Sequence, residues 1–394
     1  MTRRAPFARW LDETNDVTSF FLAAAGMEGM INLAGGLPEP DTYPVGEVAE
    51  IAKRVVEDHG EEVLGYGPVP GLPALRDRIA ARFGGAALGL SRENVLITSG
   101  GMQALDLVGK VLLDQGATIA AQSPAYLGAL DAWRPRSPAY RPVFPERNGF
   151  DAEAAMEGAR FCYMVPNFSN PTGRLVGEAR RREMVEAARA TGAWLVEDDP
   201  YGALYYDGPR LPTMLEIAAA GAARYDGPVV HLGTFSKEIA PGLRIGWALA
   251  APEMIDALTL AKQGSDMCTS GLTQRVAVAA LDAKLPERML PGILDLYRAR
   301  RDALAAAMAT HLSDLFDWEV PVGGMFFWAV AKDPDFDSDA LMKRAIRHGV
   351  CVTPSRAFDP EGVYRRAIRI NFTLNRPEVL AEGVKRLAAA AREM

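Results

Sequence analysis

Lys237 lies in the run Gly233-Thr-Phe-Ser-Lys237-Glu-Ile-Ala-Pro-Gly-Leu-Arg244-Ile-Gly246. A lysine directly after a strand and a small-hydroxyl turn can point inward from a sheet edge. Arg244, seven residues on, is expected to open the next strand, so a strand–loop–strand unit could present Ser236, Lys237 and Arg244 to one spot. Hydroxyl, ammonium and guanidinium together suit an anionic phosphate beside a carbonyl carbon. A Ser-Lys pair alone is ordinarily solvated surface, but here two glycines and a proline flank the basic residues in an otherwise apolar segment. Ser99-Gly100-Gly101-Met102-Gln103 sits between a strand and a helix, where glycines expose backbone N–H groups at the positive helix end. Alone that turn is a weak signal. Pro166-Asn-Phe-Ser-Asn170-Pro-Thr-Gly173 also follows a strand, and its Asn-Pro pair by itself reads as a plain turn. Glu197-Asp198-Asp199-Pro-Tyr201 stands at a strand's carboxyl end, where α/β sheets bind ligands; capping and solvent exposure account for Asp199. In Ala367-Ile-Arg-Ile-Asn-Phe-Thr373, alternation puts Arg369 and Asn371 on one face and Ile368, Ile370 and Phe372 on the other. An arginine in so apolar a strand is costly unless a carboxylate meets it.

The elements that must position these residues show a strand-then-helix rhythm. Val95–Thr98 is a β-type run, followed by a helical segment to about Leu113 with Leu105, Val108 and Leu112 on one face. Ala117–Ala121, Phe161–Val165, Ala193–Glu197, Val229–Leu232 and Ile245–Ala250 read as strands, and Glu178–Thr191 reads as a helix broken by Gly192. This alternation predicts an α/β fold, a mostly parallel sheet covered by helices on both faces. After about residue 284 come a long helix over Pro286–His311, strands at Trp318–Pro321 and Met325–Ala331, a helix near Ser338–His348, a strand at Ala367–Thr373 and a final helix from Pro377. They predict a smaller α+β domain. The expected division is residues 1–45 as an N-terminal arm and part of the small domain, 46–284 as the large domain and 285–394 as the small C-terminal domain.

Composition excludes several classes. The 394 residues carry a formal net charge of -7, which argues against a phosphate-backbone footprint and hence against nucleic acid. The longest apolar runs, such as Ile245–Ala251, fall far below the roughly 18 residues of a membrane span. Residues 1–10 lack the apolar core and cleavage site of a signal peptide, so a cytoplasmic protein is expected. Cys162, Cys268 and Cys351 form no CxxC pair and read as small hydrophobes in a reducing compartment. His59, His231, His311 and His348 stand alone, so no metal site is expected. With the usual titrating catalyst nearly absent, a lysine-bound cofactor is a natural source of chemistry near neutral pH.

The motifs, in this order from about Ile31 to Thr373, resemble those of fold-type I pyridoxal-phosphate enzymes and the class I/II aminotransferase branch in particular. With Ile31-Asn-Leu-Ala-Gly35-Gly36-Leu-Pro38 and Gly323-Gly324-Met-Phe-Phe-Trp328 they look most like 2-aminoadipate and aromatic aminotransferases, together with MocR-type regulators. The resemblance implies a mostly parallel seven-stranded sheet between helices, plus a smaller α+β domain. It implies that Lys237 carries pyridoxal 5′-phosphate as a Schiff base, with Gly100, Gly101, Met102, Ser236 and Arg244 around the phosphate. Met102 stands where relatives often carry a polar residue. Tyr126, in Ser123-Pro-Ala-Tyr126, resembles the ring that stacks on the cofactor, core packing being the plain alternative. Asn170 and Tyr201 would hydrogen-bond the phenolic O3′, and Asp198 would face the pyridine nitrogen. A carboxylate ~4 Å from a pyridinium favours its protonation by roughly 4 kcal/mol at an effective dielectric near 20. Arg369 would clamp the substrate α-carboxylate bidentately, with Asn170 and Gly36 beside it. Tyr66, in Tyr66-Gly-Pro-Val-Pro-Gly71, resembles the tyrosine that crosses a homodimer interface to the partner's phosphate.

The expected reaction is ping-pong transamination between an amino acid and a 2-oxo acid, with Lys237 as base and then acid. Two alternatives stand beside it: another pyridoxal-phosphate reaction on the same fold, such as elimination, cyclisation or oxidation, and a cofactor-sensing regulator. A catalytically silent homologue is disfavoured by the presence of Lys237, Asp198 and Arg369 together. Members taking acidic side chains are expected to place an arginine on the short N-terminal helix. Thr18-Ser-Phe-Phe-Leu-Ala-Ala-Ala-Gly26 has no basic residue, and Phe20, Phe21 and Leu22 suggest an apolar lining, so aromatic or aliphatic amino acids are expected to be preferred.

Overall fold

Alternate residues of neighbouring strands enter opposite cores, and that alternation builds the centre of the molecule. The structure is a computed structural model that describes residues 7–13, 23, 26–360 and 362–394. The first strand, β1 (Ile31–Asn32), lies outside the main sheet. The next seven form that sheet: β2 (Val95–Thr98), β3 (Thr118–Gln122), β4 (Ala139–Val143), β5 (Phe161–Met164), β6 (Trp194–Asp198), β7 (Val229–Thr234) and β8 (Gly246–Leu249), in the order β2-β8-β7-β6-β5-β3-β4. Only β8 runs against its neighbours. Along β5, Phe161 and Tyr163 enter one core while Cys162 and Met164 enter the other. The helices Gly101–Leu112 and Pro252–Gln263 contribute to the first core. Pro73–Arg82, Glu178–Thr191 and Gly271–Asp282 contribute to the second. A sheet covered on both faces explains why these strands read as continuous apolar runs.

The C-terminal part adds β9 (Phe316–Asp317), β10 (Phe326–Ala331), β11 (Val350–Cys351), β12 (Thr353–Pro354) and β13 (Ala367–Asn371). Four of them form an antiparallel sheet in the order β12-β13-β10-β9, while β11 pairs in parallel with β1. The helix Leu285–His311 packs against the last helix, Pro377–Arg392. No helix among the described residues is long and apolar enough to cross a membrane.

Two expectations need correction, and one strand carried no expectation at all. The strand expected at Trp318–Pro321 is instead Phe316–Asp317, paired only with the end of β10. Pro321 has no N–H for a ladder and Val320 is 51% exposed, so the apolar run there buries little. Arg244 does not open a strand: it caps the turn Pro241–Leu243 with φ 52, and β8 begins at Gly246. The edge strand β4 was not anticipated, because Pro142 and its largely exposed face disguise it.

The helix Glu178–Thr191 also fixes the Asn170 loop. Arg181 on it is fully buried, and its guanidinium donates to the carbonyls of Val176 (2.8 Å), Pro212 (2.9 Å) and Pro166 (3.3 Å) and to Oδ1 of Asn167 (2.6 Å). Removing it strands several buried acceptors, each costing about 1–3 kcal/mol. Arg182, next along, forms only a surface pair with Glu178. Chemical denaturation of Arg181→Met should therefore show a loss of about 3 kcal/mol or more, and Arg182→Met less than about 0.5 kcal/mol.

Candidate active site

At the carboxyl end of β2, Gly100 adopts φ 91 and the helix Gly101–Leu112 begins. The first-turn amides of Gly101 and Met102 have no helical carbonyl to bind, which makes a site for an anion. Arg244 closes this cup: a Cβ on Gly100 would collide with its Nη2, so glycine is required both by φ and by the guanidinium. Its Nη2 donates to Ser99 O at 3.4 Å and its Nη1 to Pro241 O at 3.2 Å. Gly246 brings β8 equally close, since a Cβ there would stand 2.7 Å from the carbonyl carbon of Gly100. Ser236 is half-buried with its Oγ 2.9 Å from Thr234 Oγ1, and Thr234 donates onward to Ile245 O at 3.0 Å. Below the cup, buried Lys262 donates to Gln103 Oε1 (2.9 Å) and to both oxygens of Asp266 (2.7 and 2.9 Å). Ser99 Oγ donates to the same carboxylate at 2.8 Å.

Side-chain alternation along β6 sorts its carboxylates. Asp198 faces the cavity side and accepts from the Tyr163 hydroxyl through Oδ2 at 2.7 Å. Burial pushes its pKa up to about 7, and the Tyr163 hydrogen bond opposes that rise. Glu197 points to the other side, 3.1 Å from Nδ1 of buried His231 and accepting from the amides of Met214 and Leu215. Burial works against both charges in this pair, but their mutual attraction outweighs it, lowering the Glu197 pKa and raising that of His231. Asp199 is not solvent-held as expected from sequence: it is partly buried and accepts from Asn167 Nδ2 at 2.9 Å.

Asn170 links two of the remaining groups. Its Nδ2 donates to the Tyr201 hydroxyl at 3.4 Å, and its Oδ1 accepts from Arg369 Nη1 at 2.7 Å. Arg369 is 3% exposed and donates from Nη2 to Ala34 O and, at 3.3 Å, to Thr353 Oγ1. The rings of Phe326 and Phe358 lie 4.4 and 4.8 Å from its Cζ. No described carboxylate pairs with it, and its Nε is buried without a partner. Burial lowers its pKa to about 10. Lys237 Nζ donates to Gly36 O at 2.9 Å, and burial, then Arg369 and Arg244, lower its pKa to about 8.

Gly36, Gly101, Met102, Tyr126, Asn170, Asp198, Tyr201, Ser236, Lys237, Arg244 and Arg369 thus line one cavity of about 600 Å³, and Gly100 lies beneath Arg244. Tyr126 projects over this space, its hydroxyl 3.7 Å from Met102 Sδ and its ring filling the space above Gly128. Tyr66 is not brought in: it is 89% exposed and does not line this cavity. Sequence reasoning missed Tyr163, Thr234 and Lys262 as neighbours of the site. Thr234 lay inside the lysine motif, whereas Tyr163 and Lys262 carried no local signal.

Comparison with known proteins places the chain among enzymes of one family. Residues 28–387 match the family described as aminotransferase class I and II. The chain is 35% identical over 378 residues to aromatic-amino-acid aminotransferase 1 of Thermococcus litoralis, covering 92% of this chain and 88% of that protein. It is 36% identical to 2-aminoadipate transaminase of Thermus thermophilus, covering 92% and 90%. The structure of an α-aminoadipate aminotransferase from Thermus thermophilus, complexed with N-(5'-phosphopyridoxyl)-L-leucine, superposes with TM-score 0.87 at 33% identity, covering 98% of both chains. Kynurenine aminotransferase of Pyrococcus horikoshii gives 0.89 at 34% identity, covering 98% of this chain and 97% of that one.

Lys237 carries a stability consequence of its own. Its pKa falls from 10.5 when unfolded to about 8 when folded, so the fold disfavours its charged form. The penalty is in full force below pH 8 and fades as pH rises from 8 to 10.5. Lys237→Met should therefore stabilise the ligand-free protein at pH 7 by about 3 kcal/mol, with the gain gone above pH 10.5. Urea denaturation at the two pH values measures it; an equal gain at both would mean that charge burial is not the cause.

Proposed function

This chain belongs to the class I and II aminotransferases and is a pyridoxal 5′-phosphate-dependent transaminase, and on that premise we propose that it draws the amino group from aromatic or aliphatic L-amino acids held by Arg369. The observation that carries this reading is Arg369 itself, a buried guanidinium with no carboxylate partner among the described residues and one N–H unsatisfied. An α-carboxylate supplies the missing acceptor bidentately. The preference for apolar side chains is supported by the walls, where Leu37, Met102, Leu105 and Leu127 line the cavity. Lys237, Arg244 and Arg369 are the cations that line it among the described residues. Of Thr18–Gly26 only Ala23 and Gly26 are described, so Phe20, Phe21 and Leu22 lie outside the described residues.

The donor set fits pyridoxal phosphate. The cup at Gly100–Met102 with Arg244 and Ser236 suits its phosphate, and Asp198 suits its ring nitrogen. Asn170 and Tyr201 suit its hydroxyl, while Tyr126 covers a ring face. When bound, the cofactor supplies an electron sink conjugated to the substrate Cα. The protein's part is to orient and to move a proton. Arg369 and Asn170 hold the α-carboxylate, so that the Cα–H bond is presented to Lys237. With its pKa near 8, the Lys237 amine is available near neutral pH to take that proton and then return it.

Exposed Tyr66 and its neighbour Leu64, 89% and 75% exposed, support a homodimer in which Tyr66 reaches the other subunit's phosphate cup. Full activity in a holoenzyme that sediments as a monomer would remove that part. Unpaired Cys162, Cys268 and Cys351 support a reducing, cytoplasmic setting. The pairing of β1 with β11 supports grouping residues 1–45 with 285–394 in one lobe, against 46–284 in the other.

The test is a single-turnover panel, following conversion of the cofactor to its amine form. Phenylalanine, tyrosine and leucine should react fastest, and faster reaction of glutamate or aminoadipate would sink the preference. Arg369→Ala should lower kcat/KM by about 10²–10³. Lys237→Ala should abolish turnover while the cofactor still binds non-covalently, and full activity in that variant would overturn the whole reading.

A further inference from the structure

Asp198 is held from behind by a residue that does not line the cavity. Tyr163 is fully buried on β5, in register with Val196 of β6, so its side chain stands on the same face as that of Asp198 two residues further on. Its hydroxyl donates to Oδ2 at 2.7 Å, while Oδ1 takes no hydrogen bond from a described residue. The ring is fixed in turn. Trp133 meets it edge-on at 5.0 Å, and the Trp133 indole N–H is tied to Leu105 O at 2.9 Å. We propose that Tyr163 is a positioning residue for amino-group transfer: its hydroxyl occupies one oxygen of Asp198, holds the carboxylate in its charged form and leaves Oδ1 to face the ring nitrogen of the cofactor. This rests on the reading of Asp198 as the ring-nitrogen partner.

The surroundings explain why such a donor is needed. Burial raises the pKa of Asp198 to about 7, and Asp199, the next residue along the chain, pushes the same way. The opposing influences are the Tyr163 hydrogen bond, the larger of the two, and the charge of His231 on β7, which is already engaged by Glu197. Tyr126 and Tyr201, on the cavity side, are neutral hydroxyls whose pKa values burial also raises, Tyr126 to about 12. Tyr163 is likewise pushed well above its ordinary value, so it stays a proton donor throughout the working range. Without its hydroxyl, desolvation of Asp198 loses its main counterweight, and a neutral Asp198 no longer stabilises a protonated ring.

Tyr163→Phe removes one hydroxyl and keeps the contact with Trp133. In holoenzyme loaded with cofactor labelled with 15N in the ring, its resonance should move from the protonated toward the unprotonated position. Cofactor dissociation should rise about tenfold and kcat fall about tenfold, with KM for the amino donor within twofold. In an Asp198→Asn background the same change should alter cofactor dissociation by less than about twofold, because the two residues act as one unit. A ring nitrogen as fully protonated in Tyr163→Phe as in the parent overturns the inference, and so does an undiminished effect in the Asp198→Asn background. If Asp198→Asn itself leaves the resonance unmoved, the assignment of Asp198 fails instead. Should Tyr163→Phe not fold, 4-fluorophenylalanine at position 163, which fills the hydroxyl's space but donates no hydrogen bond, should move the resonance toward the unprotonated position in the same way; a resonance as fully protonated as in the parent overturns the proposal.

Discussion

The cavity holds two cations and one anion largely out of water, and none of the three is paired with another. Lys237 is met by the carbonyl of Gly36, Arg369 by neutral oxygens and two aromatic faces, and Asp198 by the hydroxyl of Tyr163. Burial is the largest influence on each, shifting Lys237 and Arg369 down and Asp198 up. Left alone, this arrangement costs stability. It is tolerable because neutral partners meet each charge in part, and it is useful because a ligand bearing a carboxylate and a protonated ring completes it. Function and local instability therefore have one origin.

The scaffold brings these charges together through the carboxyl ends of adjacent strands. β2 ends in the anion cup, β5 leads into the Asn170 loop, β6 ends in Asp198 and β7 leads into Lys237. Such convergence is a property of parallel sheets, whose strand ends meet on one side. Close backbone approach then refines it. Gly246 lets β8 lie against Gly100, and Gly100 leaves room for the guanidinium of Arg244. Arg369 arrives from the other sheet, and its bond to Asn170 joins the two parts of the molecule at the site.

Much of this was legible in the sequence, for identifiable reasons. The strands flanking the motifs are apolar on both faces, so their runs stand out, and Gly, Pro and Asn mark the turns that carry chemistry. The strand misplaced at Trp318–Pro321 followed an apolar run that lies against little, and β4 was hidden by its proline and its exposed edge. Asp199 looked like surface because no local signal shows that Asn167, thirty-two residues away, binds it. Nothing in the run Phe161–Val165 singles out Tyr163, since its hydroxyl matters only through a neighbour on another strand.

By itself the sequence determined the family, the cofactor chemistry and the order of the strand–turn–helix units, because each of these is written in short contiguous motifs whose residue types have few other uses. Tertiary structure decided what depends on the distance between segments. It set which carboxylate of Glu197-Asp198-Asp199 faces the cavity and left Arg369 without a carboxylate partner among the described residues. It also buried the ammonium of Lys237 against the carbonyl of Gly36, where that burial, with Arg369 and Arg244, lowers its pKa to about 8. A side chain's desolvation is a sum over neighbours that the chain brings together only when it folds, and no local pattern encodes that sum.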